Sequence, residues 1–516
     1  MSPRPHAVAP AGVLATAVAA RVAAGARLCG LFAWPAGGGL FTWPAGDRGT
    51  RLVAVLSDDG ALVTEELELA LGATRYRSLT PQVPAAGWYE RRLHDLFGLE
   101  AVGHPRLDPL VLPRAAGVAP PRAAGVPPAR SSEPSVAPLP AHVRGEGVLT
   151  LSYGPVRSGV FESVEYLLET SGEDIPHLRT RVFYKHRGIE ARFPGLAVDD
   201  GVLLAERVEG VAAVAHATAF CHAAERAADV GVPLAAQLVR LVHAELERIA
   251  NHLDTVVRHT EAAGQAVAYA VVSHHKERVQ RLRARLCGSR FGRGVVVPGG
   301  VAGPLRLGAG ELLAVLGPLQ RTIRDDTRRL METPSFVDRL RGTGVLSADD
   351  ARRFAVVGPV GRASGLTEDV RVSRPYGAYE RLGHRLAAPR TGGDALARQW
   401  VRIDEIEGSF RLVRQGIDLL DELGEPDAWR VPLGGPAAGG LADGLAGGLA
   451  IGWAEAPQGE VLSLVGLAGD RVVHATHRSP SFHNLAAFPA AFPSDVFTDV
   501  AFVEASFGLS MAGAAG

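Results

Sequence analysis

Residues 233–259 read PLAAQLVRLVHAELERIANHLDTVVRH. A proline at the head suits the first turn of a helix, where its missing N–H would have no partner anyway. Leu234, Leu238, Leu241, Val242, Ile249, Leu253 and Val256 then recur at helical spacing on one face. A stripe this long needs other stripes to bury it. Three follow: Val267–Leu286, Gly310–Glu332 with Leu312, Leu313, Leu316, Leu319 and Ile323 inward, and Ala395–Leu423. Together they predict an antiparallel bundle of four long helices.

Outward from that bundle the pattern changes to strands. Gly147–Tyr153, Val164–Glu169 and Arg179–His186 precede it, and Leu449–Ala454, Glu460–Ala468 and Arg471–His477 follow it. The glycine-rich run Gly434–Trp453 reads as a loop leading into a strand. Between Pro109 and His142 prolines recur among Ala, Gly, Ser and Arg without any period, which marks an extended linker. Ahead of it, Arg27–Trp34, Leu40–Trp43 and Leu52–Ser57 read as strands, and Thr64–Leu71 and Trp88–Phe97 as helices. Apolar Ala7–Ala20 is read as a first helix and not a signal peptide, because Arg21 and Arg27 stand where a small-residue cleavage site should lie. The fold class expected is α+β. A small α+β domain (1–110) and a Pro/Ala-rich linker (111–142) precede a mainly helical domain (143–516) with a long-helix bundle and peripheral β-strands.

Composition removes several function classes. The 516 residues carry 54 Lys+Arg against 55 Asp+Glu, so there is no net field for nucleic acid. No run of eighteen uncharged apolar residues suggests a membrane span, so membrane association is expected through partners. No G-x-G-x-x-G follows a strand, so nicotinamide, if involved, binds elsewhere. The three cysteines, Cys29, Cys221 and Cys287, form no C-x-x-C and supply neither a disulfide framework nor a four-thiolate metal site. His243 and Glu247 at i,i+4, and the His274–His275 pair, suit structural or solvated roles better than ligation. Val295–Val301 contains a Gly pair without the spacing of a phosphate loop and reads as a turn for close backbone packing. Glu206-Arg-Val-Glu-Gly210 with His216 puts charge among small residues, which suggests function or a buried ion network.

Two sets of motifs carry a family resemblance. Tyr89-Glu-Arg-Arg-Leu-His-Asp-Leu-Phe-Gly98, followed by Gly103-His-Pro105, resembles the signature of the small peripheral subunit of respiratory complex I, often fused ahead of the quinone-module large subunit. Then Gly154-Pro155, Tyr184-Lys-His-Arg-Gly-Ile-Glu190, Glu206–Gly210, Ala215-His-Ala-Thr-Ala219 and Glu245-Leu-Glu-Arg-Ile-Ala-Asn-His-Leu253 follow in order. They are similar to the large subunits of complex I and of energy-converting nickel-iron hydrogenases such as formate hydrogenlyase. Pro298–Val301, Gly393-Asp394, Glu455–Glu460 and Ser479–Leu485 agree.

The resemblance implies two kinds of centre, and the sequence departs from both. The four nickel-iron thiolate positions fall on Glu209, Ala212, Ser510 and Gly513, none a cysteine, so nickel-iron is not expected. The two donors of the quinone-head pocket fall on Phe161 and Gly210. Glu162 matches a proton-carrying Glu of the hydrogenase branch, and Arg207 matches an Arg near the partner's terminal iron-sulfur cluster, here beside Glu206 and Glu209, whose carboxylates are expected to neutralise it. Glu162 also reads as a hairpin residue, Arg207 as a surface cation and His216 as a core histidine. The resulting expectation is a subunit of a membrane-attached, complex I-like or formate-hydrogenlyase-like oxidoreductase, peripheral on the inner face of the cell membrane. It would bind no cofactor itself and dock an iron-sulfur small subunit, with antiporter-like and quinone-module membrane partners. One alternative is reduction of quinone or another acceptor in a cavity lined by Phe161, Glu162, Glu209 and His216; the other is a purely structural paralogue.

Overall fold

A computed structural model describes residues 12–35, 49–112, 143, 145, 147–157, 162–434, 449–493 and 495–516. The fold is mixed α+β. After helix α1 (Val13–Ala23), strands β1 (Arg27–Pro35), β2 (Thr50–Asp58) and β3 (Ala61–Leu69) form an antiparallel sheet in that order. Strand β3 takes in Thr64–Leu69 of the Thr64–Leu71 segment read as a helix, and a turn follows it. Asp59 and Gly60 both adopt positive φ, the signature of a two-residue hairpin turn that returns the chain onto β2. Its glutamates find cations across the surface: Glu65 pairs with Arg21, and Glu66 and Glu68 with Arg51. Cross-strand pairing overrides their helix propensity. The expected strand Leu40–Trp43 lies outside the described residues, as does 113–142 of the expected linker.

The two faces of this sheet serve different cores. Leu52, Ala54 and Leu56 pack with α1 and with Tyr89 and Leu93 of helix α2 (Gly87–Phe97). Val53 and Val55, one residue out of phase, pack with Leu238, Leu241 and Trp453 of the larger part. The period of two therefore joins the N-terminal unit to the rest of the chain. Helix α2 carries the first motif, and its charged residues hold loops. Glu90 accepts from Ser78 Oγ, Thr80 Oγ1 and the Leu79 N–H, while Asp95 Oδ2 accepts from the N–H groups of Leu110 and Val111. Leu110 and Val111 are fully buried, so this stretch, read as part of the linker, belongs to the N-terminal core. Strands β4 (Arg75–Arg77) and β5 (Glu100–Val102) flank the helix in parallel.

In the larger part, β6 (Leu149–Tyr153), β7 (Glu165–Thr170) and β8 (His177–Arg181) make a second antiparallel sheet. Strand β8 ends before His186, short of its expected limit, because a 3-10 turn over Phe183–Lys185 redirects the chain. Helices α3 (Val198–Ala205) and α4 (Ala213–Ala227) lead to the bundle of α5 (Leu234–Ala262), α6 (Ala266–Cys287), α7 (Ala309–Met331) and a fourth helix, Ala395–Leu423. Leu246, Ile249, Leu253 and Val256 interdigitate with Val279, Leu282, Leu316, Ile323, Phe410 and Val413. Between α6 and α7 the Val295–Val301 segment forms a two-strand hairpin. A Cβ on Gly299 would stand 1.9 Å from Val431 O, so only glycine permits that backbone approach. The last sheet pairs Leu449–Ala456, Gly459–Ala468 and Arg471–Arg478. Alanine-rich α4 lies on it, with Ala219 O 2.2 Å from where a Cβ on Gly452 would sit.

Candidate functional site

Four segments distant in sequence converge beside the N-terminus of α4: the loop Glu206–Ala212, the hairpin Glu455–Glu460, the turn Ser479–Ser481 and the C-terminal stretch Ser510–Gly516. Glu209 is fully buried. Its Oε1 accepts from Gln458 Nε2 at 2.8 Å and its Oε2 from Ser479 Oγ at 2.9 Å, with His216 Nε2 3.6 Å away. Half-buried Glu162 reaches the same region, accepting from Ser510 Oγ at 2.9 Å and from the Met511 N–H.

The serines work as two-way connectors. Ser479 caps the helix Pro480–Leu485 by accepting from the Ser481 N–H at 3.1 Å while it donates to Glu209. Ser510 accepts from the Gly513 N–H at 3.3 Å while it donates to Glu162. Ser481 Oγ, accepting from the Ser510 N–H at 3.0 Å, joins the two pairs. A buried carboxylate surrounded by donors of this kind is stabilised in place without a cation. Neither ring nitrogen of buried His216 has a hydrogen-bond partner among the described residues. Its ring centroid lies 6.2 Å from that of His477, whose imidazole burial pushes down to about 3.

The expected residues are therefore only partly brought together. Glu209, Ser510 and Gly513 meet, and Ala212 is buried one turn beyond Glu209. A four-thiolate metal does not fit this donor set. Ala212 and Gly513 offer no side-chain donor, and the Glu209 and Ser510 oxygens already serve Gln458, Ser479 and Glu162. The thiols sit elsewhere: Cys221 is wholly buried in an apolar cluster on α4, and burial pushes the Cys29 thiol up to about 11. Phe161 lies outside the described residues. Gly210 opens the 3-10 turn Gly210–Ala212, next to the exposed Arg293.

Arg207 corrects the expectation of two neutralising carboxylates. Its side chain is 53% exposed and lies 3.9 Å from Glu206. Glu209 is turned inward to Gln458, Ser479 and His216, where its oxygens find donors out of water. The residue that does organise this region is Arg187. Its guanidinium donates to the carbonyls of Arg207, Val208 and Ala512, its N–H donates to Gly516 O at 2.7 Å, and His186 Nδ1 donates to Ala515 O at 2.7 Å. The motif Tyr184–Glu190 pointed at this segment without revealing its task, which is to staple the C-terminal stretch to the 207–208 loop. Glu190, at the end of the same motif, is paired with Arg92 from the first motif.

A second buried polar cluster lies deeper. Glu245 takes Arg248 at 3.2 Å and Arg371 at 3.1 Å; Arg371 also pairs with Asp369, and Arg362 spans Asp369, Glu405 and Glu455. Burial alone would raise the Glu245 carboxyl, but Arg248 and Arg371 outweigh it and hold it at about 2. Burial lowers His252 to about 4 although Glu405 lies 2.9 Å away. His243 and Glu247 separate: Glu247 accepts the Val214 and Ala215 N–H groups at 2.9 and 3.1 Å and so anchors the start of α4.

Comparison with known proteins matches two stretches of the chain to families. The family described as respiratory-chain NADH dehydrogenase, 49 Kd subunit, matches residues 263–431, and that described as the 30 Kd subunit matches residues 43–130. The carbon monoxide-induced hydrogenase of Rhodospirillum rubrum is 30% identical over 338 residues, covering 65% of this chain and 90% of that protein. Formate hydrogenlyase subunit 5 of Escherichia coli (strain K12) is 28% identical, covering 77% of this chain and 69% of its own. An NADH-quinone oxidoreductase subunit of Acidiphilium cryptum (strain JF-5) is 28% identical over 69% of this chain and 63% of its own. Among the described residues no helix is long and apolar enough to cross a membrane.

Proposed function

We propose, on the premise that this chain belongs to the family of the fused 30 and 49 kDa complex I-type subunits and their hydrogenase relatives, that it is a docking subunit of a membrane-attached oxidoreductase complex whose hydrogenase-type centre has lost nickel-iron. The supporting observation is the pairing of a metal-unfit interior with an exposed cationic rim. Glu209 and Ser510 are tied into side-chain hydrogen bonds, while Arg207 and Arg293 stand exposed above them with Leu203 and Phe291 at 44% and 38% exposure. Permanent guanidiniums beside apolar side chains suit a partner surface that becomes more negative when an iron-sulfur cluster is reduced. Glu162, Ser510 and Glu209 then form a polar path behind that face. Retained acceptor reduction at this site is the second reading, favoured by His216, whose Nε2 lies 3.6 Å from Glu209 and whose ring nitrogens have no hydrogen-bond partner among the described residues.

Purification of the intact complex tests the first reading. Wild-type chain should co-purify with an iron-sulfur subunit and without stoichiometric nickel. Arg207→Glu should fold normally and lose that partner, and Arg207→Met should assemble with a lowered cluster potential. Nickel near one per chain, or full partner retention and an unchanged potential in these variants, overturns it.

A further inference from the structure

A cavity of about 330 Å³ opens between α4, the start of α5 and the strand Leu449–Ala456, with room for about ten waters at ~30 Å³ each. Its mouth is formed by exposed Asp229 and Gly231, and its lining reaches Tyr376, Tyr379 and the buried Glu455. Thr218 Oγ1, on a 92%-buried side chain lining the cavity, has no protein partner among the described residues. The lining is mostly apolar, but Asp229, Gln237, Glu225 and Glu455 set polar groups into it beside the orphaned hydroxyl, and these give water its partners there. Of the four carboxylates in the deeper cluster, Glu455 is the one on the cavity wall.

Glu455 is also the most weakly held of the four. Glu245 receives two guanidiniums, Tyr379 and Ser409; Asp369 receives Arg362 and Arg371; Glu405 receives Arg362 and His252. Glu455 accepts from one guanidinium nitrogen at 3.2 Å, that of an Arg362 shared with Asp369 and Glu405, and from the Val370 nitrogen at 3.3 Å. Its register partner Glu460, on the neighbouring strand, is occupied by its own cations Arg27, Arg374 and Arg478. Across the cavity stand Asp229, Arg226, His222 and the Glu225–Arg240 pair; behind lie Arg248, Arg371 and His384. Burial first, and then Asp369, push the Glu455 carboxyl up to about 7 against Arg362, Arg248 and Arg371.

We propose that Glu455 is a proton-loading site of the buried ion cluster and that this cavity is its route to bulk water. On loading, a hydronium carried in by the cavity water gives up a proton, its O–H bond breaks as one to a Glu455 oxygen forms, neutral water is left, and the cluster loses one negative charge; unloading reverses it. The hairpin that carries Glu455 also carries Gln458, the donor to Glu209, and Arg248 holds its Glu455 and Ala456 carbonyls. A charge change at Glu455 thus bears on the arm that positions Glu209. The inference concerns the isolated chain and stands apart from partner docking.

Infrared difference titration of the purified chain tests it. Wild type should show a protonated buried carboxyl band that disappears with a midpoint near pH 7, shifts in heavy water, and is missing in Glu455→Gln. Val232→Trp, at the cavity rim, should slow deuteration of that band by about tenfold and leave the midpoint in place. A wild type lacking the band, or a band that persists in Glu455→Gln, overturns the loading site. Unaltered deuteration in Val232→Trp overturns the route, and that comparison uses a variant at the half-buried cavity rim, independent of how Glu455→Gln folds.

Discussion

The Glu209 carboxylate occupies the space that a side chain at Gly513 would need: a Cβ there would stand 2.3 Å from Glu209 Oε2 and 2.8 Å from Ser479 Oγ. Two positions that the family pattern assigns to separate ligand pairs thus compete for one space in this chain, and a side chain at 513 must displace the Glu209 carboxylate from its place beside Ser479.

That exclusion predicts a coupling. Gly513→Ala should destabilise the chain by about 1 to 3 kcal/mol, the usual cost of overpacking. In a Glu209→Ala background the same substitution should cost far less. A thermodynamic double-mutant cycle from urea melts checks this, and additive effects would show that the two residues do not share the space.

Acid should weaken the fold. Burial alone would raise the Glu190 carboxyl, but Arg92, Thr476 and the His477 N–H hold it down at about 2. Glu245 is held at about 2 by Arg248 and Arg371. These folded values lie below the unfolded value of ~4.3, so the stabilisation is complete above the unfolded value and is lost as pH falls toward 2. Buried His477, lowered to about 3, acts in the same direction because the unfolded chain takes up its proton first. Urea midpoints should therefore decline from near neutral pH into acid, with a shallower decline in Glu190→Gln.

Glu460 holds the N-terminal unit against the larger part. It binds Arg27 of β1 at 2.9 Å and also Arg374 and Arg478. Glu460→Gln leaves buried guanidiniums facing one another, at a cost of about 3 to 5 kcal/mol. Hydrogen exchange should show protection lost first in β1 and β2; uniform loss across the chain would argue against a local role.

Glu247→Ala removes both acceptors from the first turn of α4 and leaves Arg283 without its carboxylate. Each stranded donor should cost about 1 to 3 kcal/mol. Amide exchange at Val214 and Ala215 should accelerate more than exchange in the middle of α4, and equal acceleration throughout would indicate a global effect.

The sequence by itself determined the elements whose information is contiguous. The four long helices, the three C-terminal strands and the α+β class follow from apolar spacing, since a stripe at helical or alternate period can be buried in only one way. It also carried the family resemblance, and with it Glu209, Ser510 and Gly513, without showing what each touches. Strand β3 escaped because its glutamates favour a helix locally, although the Asp59-Gly60 turn was there to be read. Only the tertiary structure decided that Gln458, 249 residues away, holds Glu209, that Arg187 pins the C-terminal stretch, and that Arg207 faces solvent. Periodicity is a property of neighbours along the chain. A buried polar group takes whichever donor packing brings within about 3 Å, and no local pattern records that choice.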